Sequence, residues 1–411
     1  MRNGSADAYA LAMEKWQESD VLVLGGCGHV GLPLGLAFAD AGLTVTLGDI
    51  NQSAVDRVNA GTMPHAEPGA PEVLRRTLDN GRLRATTDIA AIGSAEHLVI
   101  VIGTPVDEHL NPDPQAVVDA IEAVADYLVD GQILILRSTV FPGVTRMVER
   151  LIERLGKSVD VAFCPERIAE GKAMEELYSL PQIVAARTDQ AFDRAAELFK
   201  ILTKTIVRVE PEEAELAKLF TNSYRYIKFA AANQLFMMAN DYGVDYERIR
   251  LAVTEDYPRA ADLPGPGFAA GPCLLKDTMQ LAAFNNNNFA LGQASMQINE
   301  GLPLYLVSKM AARYDLDSMT VGILGMAFKG ESDDNRSSLS YKLKRVLKVR
   351  ADEVLTSDPY VESDANLVPL EVVLDQADVI VIGAPHKLYS TLEITQPVVD
   401  IWNIRGNGVV V

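Results

Sequence analysis

The sequence predicts an α/β protein of two Rossmann-like, doubly wound domains joined by a long central helix. Three observations predict it. Short apolar runs of strand length alternate with helix-patterned segments through the first half of the chain, and the same alternation restarts near Thr320. Between them Pro211 opens a helical pattern of roughly 30 residues, spanning about 45 Å, with acids in its first turn and Gly243 at its end. At 411 residues two or three domains fit. The expected division is an N-terminal extension over 1–19, a nucleotide-binding domain over 20–208, a central helical region over 209–315 and a second Rossmann-like domain over 316–411.

Composition narrows the class. With 48% hydrophobic and 23% charged residues and no run of about 18 apolar residues, the chain reads as an ordinary soluble protein. Its first segment, MRNGSADAYALAMEKWQESD, lacks an apolar run fit for a signal peptide and reads as a short helical extension, so a cytoplasmic location is expected. The formal charge of −19 argues against nucleic acid and anionic membranes as partners. An anionic small ligand requires Lys and Arg gathered locally. Three scattered cysteines, Cys27, Cys164 and Cys273, form neither a disulfide framework nor a C-x-x-C pair, so no thiolate metal site is expected.

In the first domain, DVLVL (Asp20–Leu24) is a strand, GGCGHVG a glycine-rich turn, LPLGLAFADAGL a helix and TVTLGD a second strand. Gly26, Gly28 and Gly31 satisfy G-x-G-x-x-G in that context, and with His29 and Val30 they form a turn whose backbone can approach a pyrophosphate at a helix N-terminus. Asp49 ends the second strand, where a carboxylate accepts ribose hydroxyls and repels a 2′-phosphate; the expected cofactor is NAD, not NADP. HLVIVIGTP and QILILRSTVFPGVT end as parallel strands do at a ligand-binding edge, making Thr104, Ser138 and Thr139 candidates to touch cofactor or substrate; their other reading is turn or helix capping. VDVAFCPERIAEG ends in Glu166, placed after a proline as a general base or, alternatively, as a surface or helix-start carboxylate. Cys164, at the end of that strand, reads as core, and Cys27 as covered by cofactor.

The central helix carries an apolar girth of Phe220, Tyr224, Ile227, Phe229, Phe236 and Met237, too broad for one small domain to cover, so a homodimer along 211–242 is expected. Lys218, Asn222 and Arg225 share one face of it. Beyond it, PGPGFAAGPCLLKDTMQLAAF sets Cys273 on a Gly/Pro-rich loop before another helix. Asp277 and Gln280 read as a capping box there. Beside a helix N-terminus a thiolate is favoured; the plainer reading of Cys273 is a small buried apolar residue.

From Thr320, TVGILGMAF, ADEVLTSDP, ADVIVIGAP and VVDIWN read as four strands, the second ending in Asp358. The full dinucleotide pattern is missing. Lys329 and Arg336 follow instead, which suits a nucleoside diphosphate and, with Arg259, Lys276 and Lys218, meets the demand for local cations.

Taken in order, GGCGHVGLPL, IGTPVDE, RSTVFPGVT, CPERIAEG, ELAKLFTNSYR, PGPGFAAGPCLLKD, QINEGLP, GILGMAFKGESDDNR and DPY resemble the UDP-glucose/GDP-mannose dehydrogenases across about Asp20 to Asn403. The resemblance implies a four-electron, NAD-dependent oxidation of a nucleotide sugar's C6 hydroxyl to a carboxylate. It implies Cys273 as thiol nucleophile, Glu166 as base for hydrolysis, Thr139 as water-ordering residue, Lys218 and Asn222 as oxyanion stabilisers and Asp277 as the carboxylate beside the cysteine. Arg259 is implied in the neighbouring subunit's sugar pocket, and Gly271, Lys329 and Arg336 in substrate binding. Two departures stand out: Ala269-Ala270-Gly271-Pro272 replaces the usual Gly-Gly before the cysteine, and GESDDNRSSLSY lacks the usual Glu-Ser-Pro. They leave the sugar and the nucleotide base open. The rival readings are a two-electron β-hydroxyacid or sugar-phosphate dehydrogenase, which needs no cysteine, and a non-catalytic NAD- or nucleotide-sugar-binding regulator.

Overall fold

The computed structural model describes residues 19–104, 106–107, 111–409 and 411; the expected N-terminal helical extension and Pro105 lie outside them. The chain divides into two compact units after Leu219, within the helix Pro211–Asp241 that runs from one into the other. The fold is two Rossmann-like sheets joined by that helix.

The first unit holds an eight-stranded sheet in the order β3-β2-β1-β4-β5-β6-β7-β8. Its strands are β1 (Ser19–Leu24), β2 (Val45–Gly48), β3 (Leu83–Thr86), β4 (Ala95–Ile100), β5 (Ile133–Leu136), β6 (Asp160–Phe163), β7 (Gln182–Ala186) and β8 (Ile206–Val209). All neighbours are parallel except β6 and β7. Alternation along each strand feeds two cores: Val21 and Val23 face one with Leu47, Val99 and Ile135, while Leu22 faces the other with Leu98, Leu134 and Phe163. The order reverses between β1 and β4, so the crevice beyond their carboxyl ends is where a doubly wound sheet takes its ligand.

The second unit has a four-stranded parallel sheet, β10-β9-β11-β12, formed by β9 (Thr320–Leu324), β10 (Glu353–Ser357), β11 (Val379–Ile382) and β12 (Val398–Val399). These are the four strands read from the sequence. One face, with Val321, Ile323 and Val381, packs on Leu343, Leu347, Leu302 and Leu306; the other, with Leu324, Ile380 and Ile382, packs on Val373 and Tyr389.

Of the apolar girth on the central helix, Phe236 is fully buried in its own unit's core, whereas Phe220 and Tyr224 are 53% and 60% exposed. Arg225 is exposed as well, so the buried polar stripe of Lys218 and Asn222 ends before it.

Candidate active site

The glycine-rich turn between β1 and the helix Gly31–Asp40 uses its glycines for different ends. A Cβ at Gly26 would stand 2.7 Å from the Val23 carbonyl oxygen, and one at Gly31 would collide with the Gly25 carbonyl, so these two close the turn on itself. Gly28 is exposed, and a Cβ there would meet only Gly25 O at 3.6 Å, leaving the space over its backbone open. Val30 is the N-cap of the helix, and no side chain caps it; Leu32 N–H donates to Gly28 O at 3.0 Å and Pro33 has no N–H, so the Gly31 N–H is the first-turn donor left at the same opening. Asp49 accepts from Cys27 N and Asn51 N at 3.0 Å each and stays half-exposed, with lone pairs left for ribose hydroxyls. His29 stacks on His65 with centroids 4.1 Å apart. These residues fit a dinucleotide. Gly31→Ala should therefore yield little folded protein, whereas Gly28→Ala should fold normally and lose at least about tenfold in NAD affinity, read by fluorescence titration.

At the same edge Thr104 Oγ1 donates to Thr139 O at 2.7 Å, and Ser138 Oγ accepts from Ile102 N at 2.9 Å and donates to Ile102 O at 2.8 Å. The hydroxyls of Thr104 and Ser138 thus bind strand ends together, while the Thr139 hydroxyl has no bonded partner among the described residues. Glu215, on the central helix, accepts from Gly143 N, Thr145 N and Thr145 Oγ1 at 2.6–2.8 Å, capping the helix Val144–Arg154 that follows the S-T-V-F-P-G turn.

Glu166 is buried. One oxygen pairs with the Arg137 guanidinium, and the other accepts from Arg167 N at 2.6 Å and Ile168 N at 2.8 Å. Three of its roughly four lone-pair sites are thus filled by N–H groups, and one remains. Arg137, 2% exposed, also donates to Cys164 O and Gln182 Oε1 at 3.0 Å and lies 4.9 Å over the Phe199 ring. Sequence reasoning passed over it because it ends an apolar strand run. Lys218 is 9% exposed and makes no hydrogen bond or ion pair among the described residues.

In the second unit Cys273 is exposed and is itself the N-cap of the helix Leu274–Phe284. The capping box read at Asp277 and Gln280 does not form: the helix starts at Leu274, so Asp277 lies one turn inside it, fully buried. Its Oδ2 accepts from Asn222 Nδ2 at 2.6 Å, and Lys276 Nζ lies 2.8 Å from Oδ1 without hydrogen-bond alignment. Asn222 and Asp277 are thus brought together next to the cysteine's own helix turn. The other thiols are withdrawn: burial, and after it Asp49, pushes Cys27 up to about 12, and burial pushes Cys164 up to about 12. Cys164 sits in the core as expected.

Gly271 (φ 98°) is buried, and a Cβ there would stand 2.6 Å from Phe328 Cδ2. Beside that ring lies Lys329, its Nζ 5.3 Å from the centroid. Arg336 is half-exposed but forks onto the buried Asp334. Arg259 is exposed and touches Tyr257, its hydroxyl at 3.2 Å.

The two sheets use their second-strand acid differently. Asp358 Oδ2 accepts from Met326 N, Ala327 N and His386 Nε2 at 2.6–3.0 Å, and Oδ1 from Tyr360 N and Val361 N at 2.8 and 3.1 Å. His386 Nδ1 accepts Glu331 N–H at 2.9 Å, which puts the ring proton on Nε2. Burial pushes Asp358 up, but the bonds from His386 and the amides outweigh it and hold the carboxyl below its usual range. Asp49 is open to a ribose; Asp358 is closed. A cavity of about 880 Å³ lies at the opposite end of the first sheet, by Asp130, Gly131 and Asp160, where Arg194 pairs with Glu96 and Asp160; it is remote from the cofactor turn.

An NAD-dependent oxidoreductase is the class this fold and turn define. Residues 20–203, 212–301 and 322–407 match in turn the NAD binding, central and UDP binding domains of the UDP-glucose/GDP-mannose dehydrogenase family. The chain is 31% identical over 380 residues to the UDP-N-acetyl-D-mannosamine dehydrogenase of Pyrococcus horikoshii, covering 89% of this chain and 90% of that one. It is 30% identical to the enzyme of the same name from Escherichia coli, covering 89% and 94%. Among solved structures, a UDP-glucose dehydrogenase from Pyrobaculum islandicum superposes with a TM-score of 0.85 at 29% identity, covering 94% of each chain. The chain belongs to the UDP-glucose/GDP-mannose dehydrogenase family, the nucleotide-sugar dehydrogenases, and its cofactor is NAD. No helix among the described residues is long and apolar enough to cross a membrane.

Proposed function

We propose that this enzyme oxidises the C6 hydroxyl of a nucleotide sugar, of the UDP-hexose or UDP-N-acetylhexosamine type, to the uronate through a thiohemiacetal and a thioester on Cys273. The observation that carries the proposal is the placement of Cys273: alone of the three thiols it is exposed, and it stands at a helix N-terminus. NAD, held by Gly26, Gly28, His29, Val30, Gly31 and Asp49, supplies the hydride acceptor. Loss of the first C6 hydride to that acceptor, with the hydroxyl proton released to solvent, gives an aldehyde, which has no hydride-donating alkoxide until something adds to it. The Cys273 thiolate adds to the carbonyl carbon, forming a C–S bond and placing negative charge on oxygen, which Lys218 Nζ and the Asn222 amide stabilise. Asp277, hydrogen-bonded to Asn222, orients that amide. Loss of hydride from the adduct leaves the thioester. Glu166 takes a proton from a water ordered by Thr139, the resulting hydroxide attacks the thioester carbon, and the thiolate leaves.

Arg259, Gly271, Lys329 and Arg336 are assigned to the substrate, with 20–208, 209–315 and 316–411 as the functional partition. Phe220, Tyr224, Leu235 and Met238, all exposed, fall within about 60° of one another around the central helix, which supports a homodimer through 211–242. A cytoplasmic setting keeps Cys273 reduced, and uronate formation suits polysaccharide biosynthesis.

The test is a panel of UDP-, GDP- and dTDP-hexoses with and without an N-acetyl group, counting NADH per substrate consumed. Two NADH are expected. One NADH with the best substrate would move the enzyme to two-electron chemistry, and no NADH across the panel would favour a binding protein.

A further inference from the structure

Asn233 lies in the middle of the central helix and is fully buried. A leucine there would be the better helix residue and would need no partners, so the amide must be explained by what it holds. Its Nδ2 donates to Gly267 O at 3.0 Å and to Asn299 Oδ1 at 2.9 Å, and its Oδ1 accepts from Gly267 N at 2.9 Å. Asn299, also fully buried, is fixed in turn by donation from its Nδ2 to Tyr226 O at 3.1 Å. One side chain therefore clasps both the N–H and the C=O of a single loop residue. On its other side Gly267 meets the indole of Trp402, where a Cβ would collide, and Phe268 stands edge-on to that indole at 6.1 Å. Four residues later the loop is fixed again at Gly271, against Phe328 and by Gly271 N–H donating to Ser337 O at 3.4 Å. Cys273 follows two residues on.

We propose that Asn233 is a positioning residue for Cys273: with Trp402 it fixes Gly267, and through the short span to Gly271 it sets where the thiol stands on its helix terminus. The proposal rests on Cys273 being the nucleophile, and its test reads the loop without turnover. In full-length protein carrying Trp16→Phe, Trp402 is the sole tryptophan. Asn233→Leu keeps the branching and the number of heavy atoms and removes the clasp. Alkylation of Cys273 by iodoacetamide at pH 7 should slow at least about threefold as the thiol leaves its helix terminus. Acrylamide quenching of Trp402 should rise about twofold, and kcat should fall at least about tenfold with a smaller change in KM. Asn299→Ala, which takes one of the three bonds of Asn233 and the bond to Tyr226 O but leaves both bonds to Gly267, should give smaller changes of the same sign and serves if Asn233→Leu does not fold. A folded variant with lowered Tm but wild-type alkylation and quenching would reduce Asn233 to a stability residue and overturn the proposal. A protein that oxidises no nucleotide sugar yet shows the alkylation and quenching changes would fail the functional reading and leave Asn233's role standing.

Discussion

Cys273→Ser is expected to cut the formation of free uronate by at least about a thousandfold while leaving NAD affinity unchanged. The serine hydroxyl is nearly isosteric, but at neutral pH it supplies almost no alkoxide, so it should not trap the aldehyde as the proposed thiolate would. Neither remaining thiol can substitute, because both Cys27 and Cys164 are buried and pushed up to about 12. The first hydride transfer needs no sulfur. The variant should therefore release about one NADH per sugar oxidised, with aldehyde and no uronate, separated by anion-exchange chromatography. NAD titration reports on the first unit, where the glycine turn and Asp49 lie, and an unchanged Tm of the second unit is the folding control for the substitution itself. Wild-type uronate formation by Cys273→Ser would refute the thioester route.

How far the sequence carried this reading depended on whether a feature was local. Five of the eight strands in the first sheet were legible because buried parallel strands are continuous apolar runs, as in β5 with ILIL. The three that were not include β3 and β8 at the two edges, with burial alternating along LRAT and half-exposed along IVRV. The third, β7, is fully buried but runs antiparallel to β6, and strand direction leaves no mark in composition. The position of Cys273 on a loop directly before a helix was legible from its Gly/Pro run. The start of its helix was misread because D-x-x-Q fits a capping box wherever it occurs, and only the backbone shows that Asp277 is already a turn inside. The residues missed altogether act at long range: Arg137 meets Glu166 across 29 positions, and Asn233 meets Asn299 across 66. Nothing near either member announces its partner.

Arg137→Met should destabilise the first unit by about 3–5 kcal/mol, the range for removing one partner of a buried ion pair. Methionine keeps most of the arginine's volume, so cavity formation contributes little. What is lost is electrostatic. The arginine side chain is 1% exposed, and without it Glu166 keeps only its two backbone donors, while Cys164 O and Gln182 Oε1 lose theirs at 3.0 Å. For a unit of this size that corresponds to a fall in Tm of about 6–20 °C. The relevant transition is the one that NAD raises, because ligand bound to the folded first unit stabilises only that unit. Glu166→Gln alone should also destabilise, since it leaves the guanidinium buried without a counter-charge. The double variant Arg137→Met/Glu166→Gln should be more stable than the sum of the two losses predicts, by at least about 1 kcal/mol. Additive losses, or a Tm for Arg137→Met within about 2 °C of wild type, would show that the two groups do not form a desolvated pair in solution. The same variants separate structure from chemistry at Glu166. If its carboxylate both anchors Arg137 and takes the water proton, the double variant should recover stability but accumulate thioester, seen as a burst of NADH without uronate release.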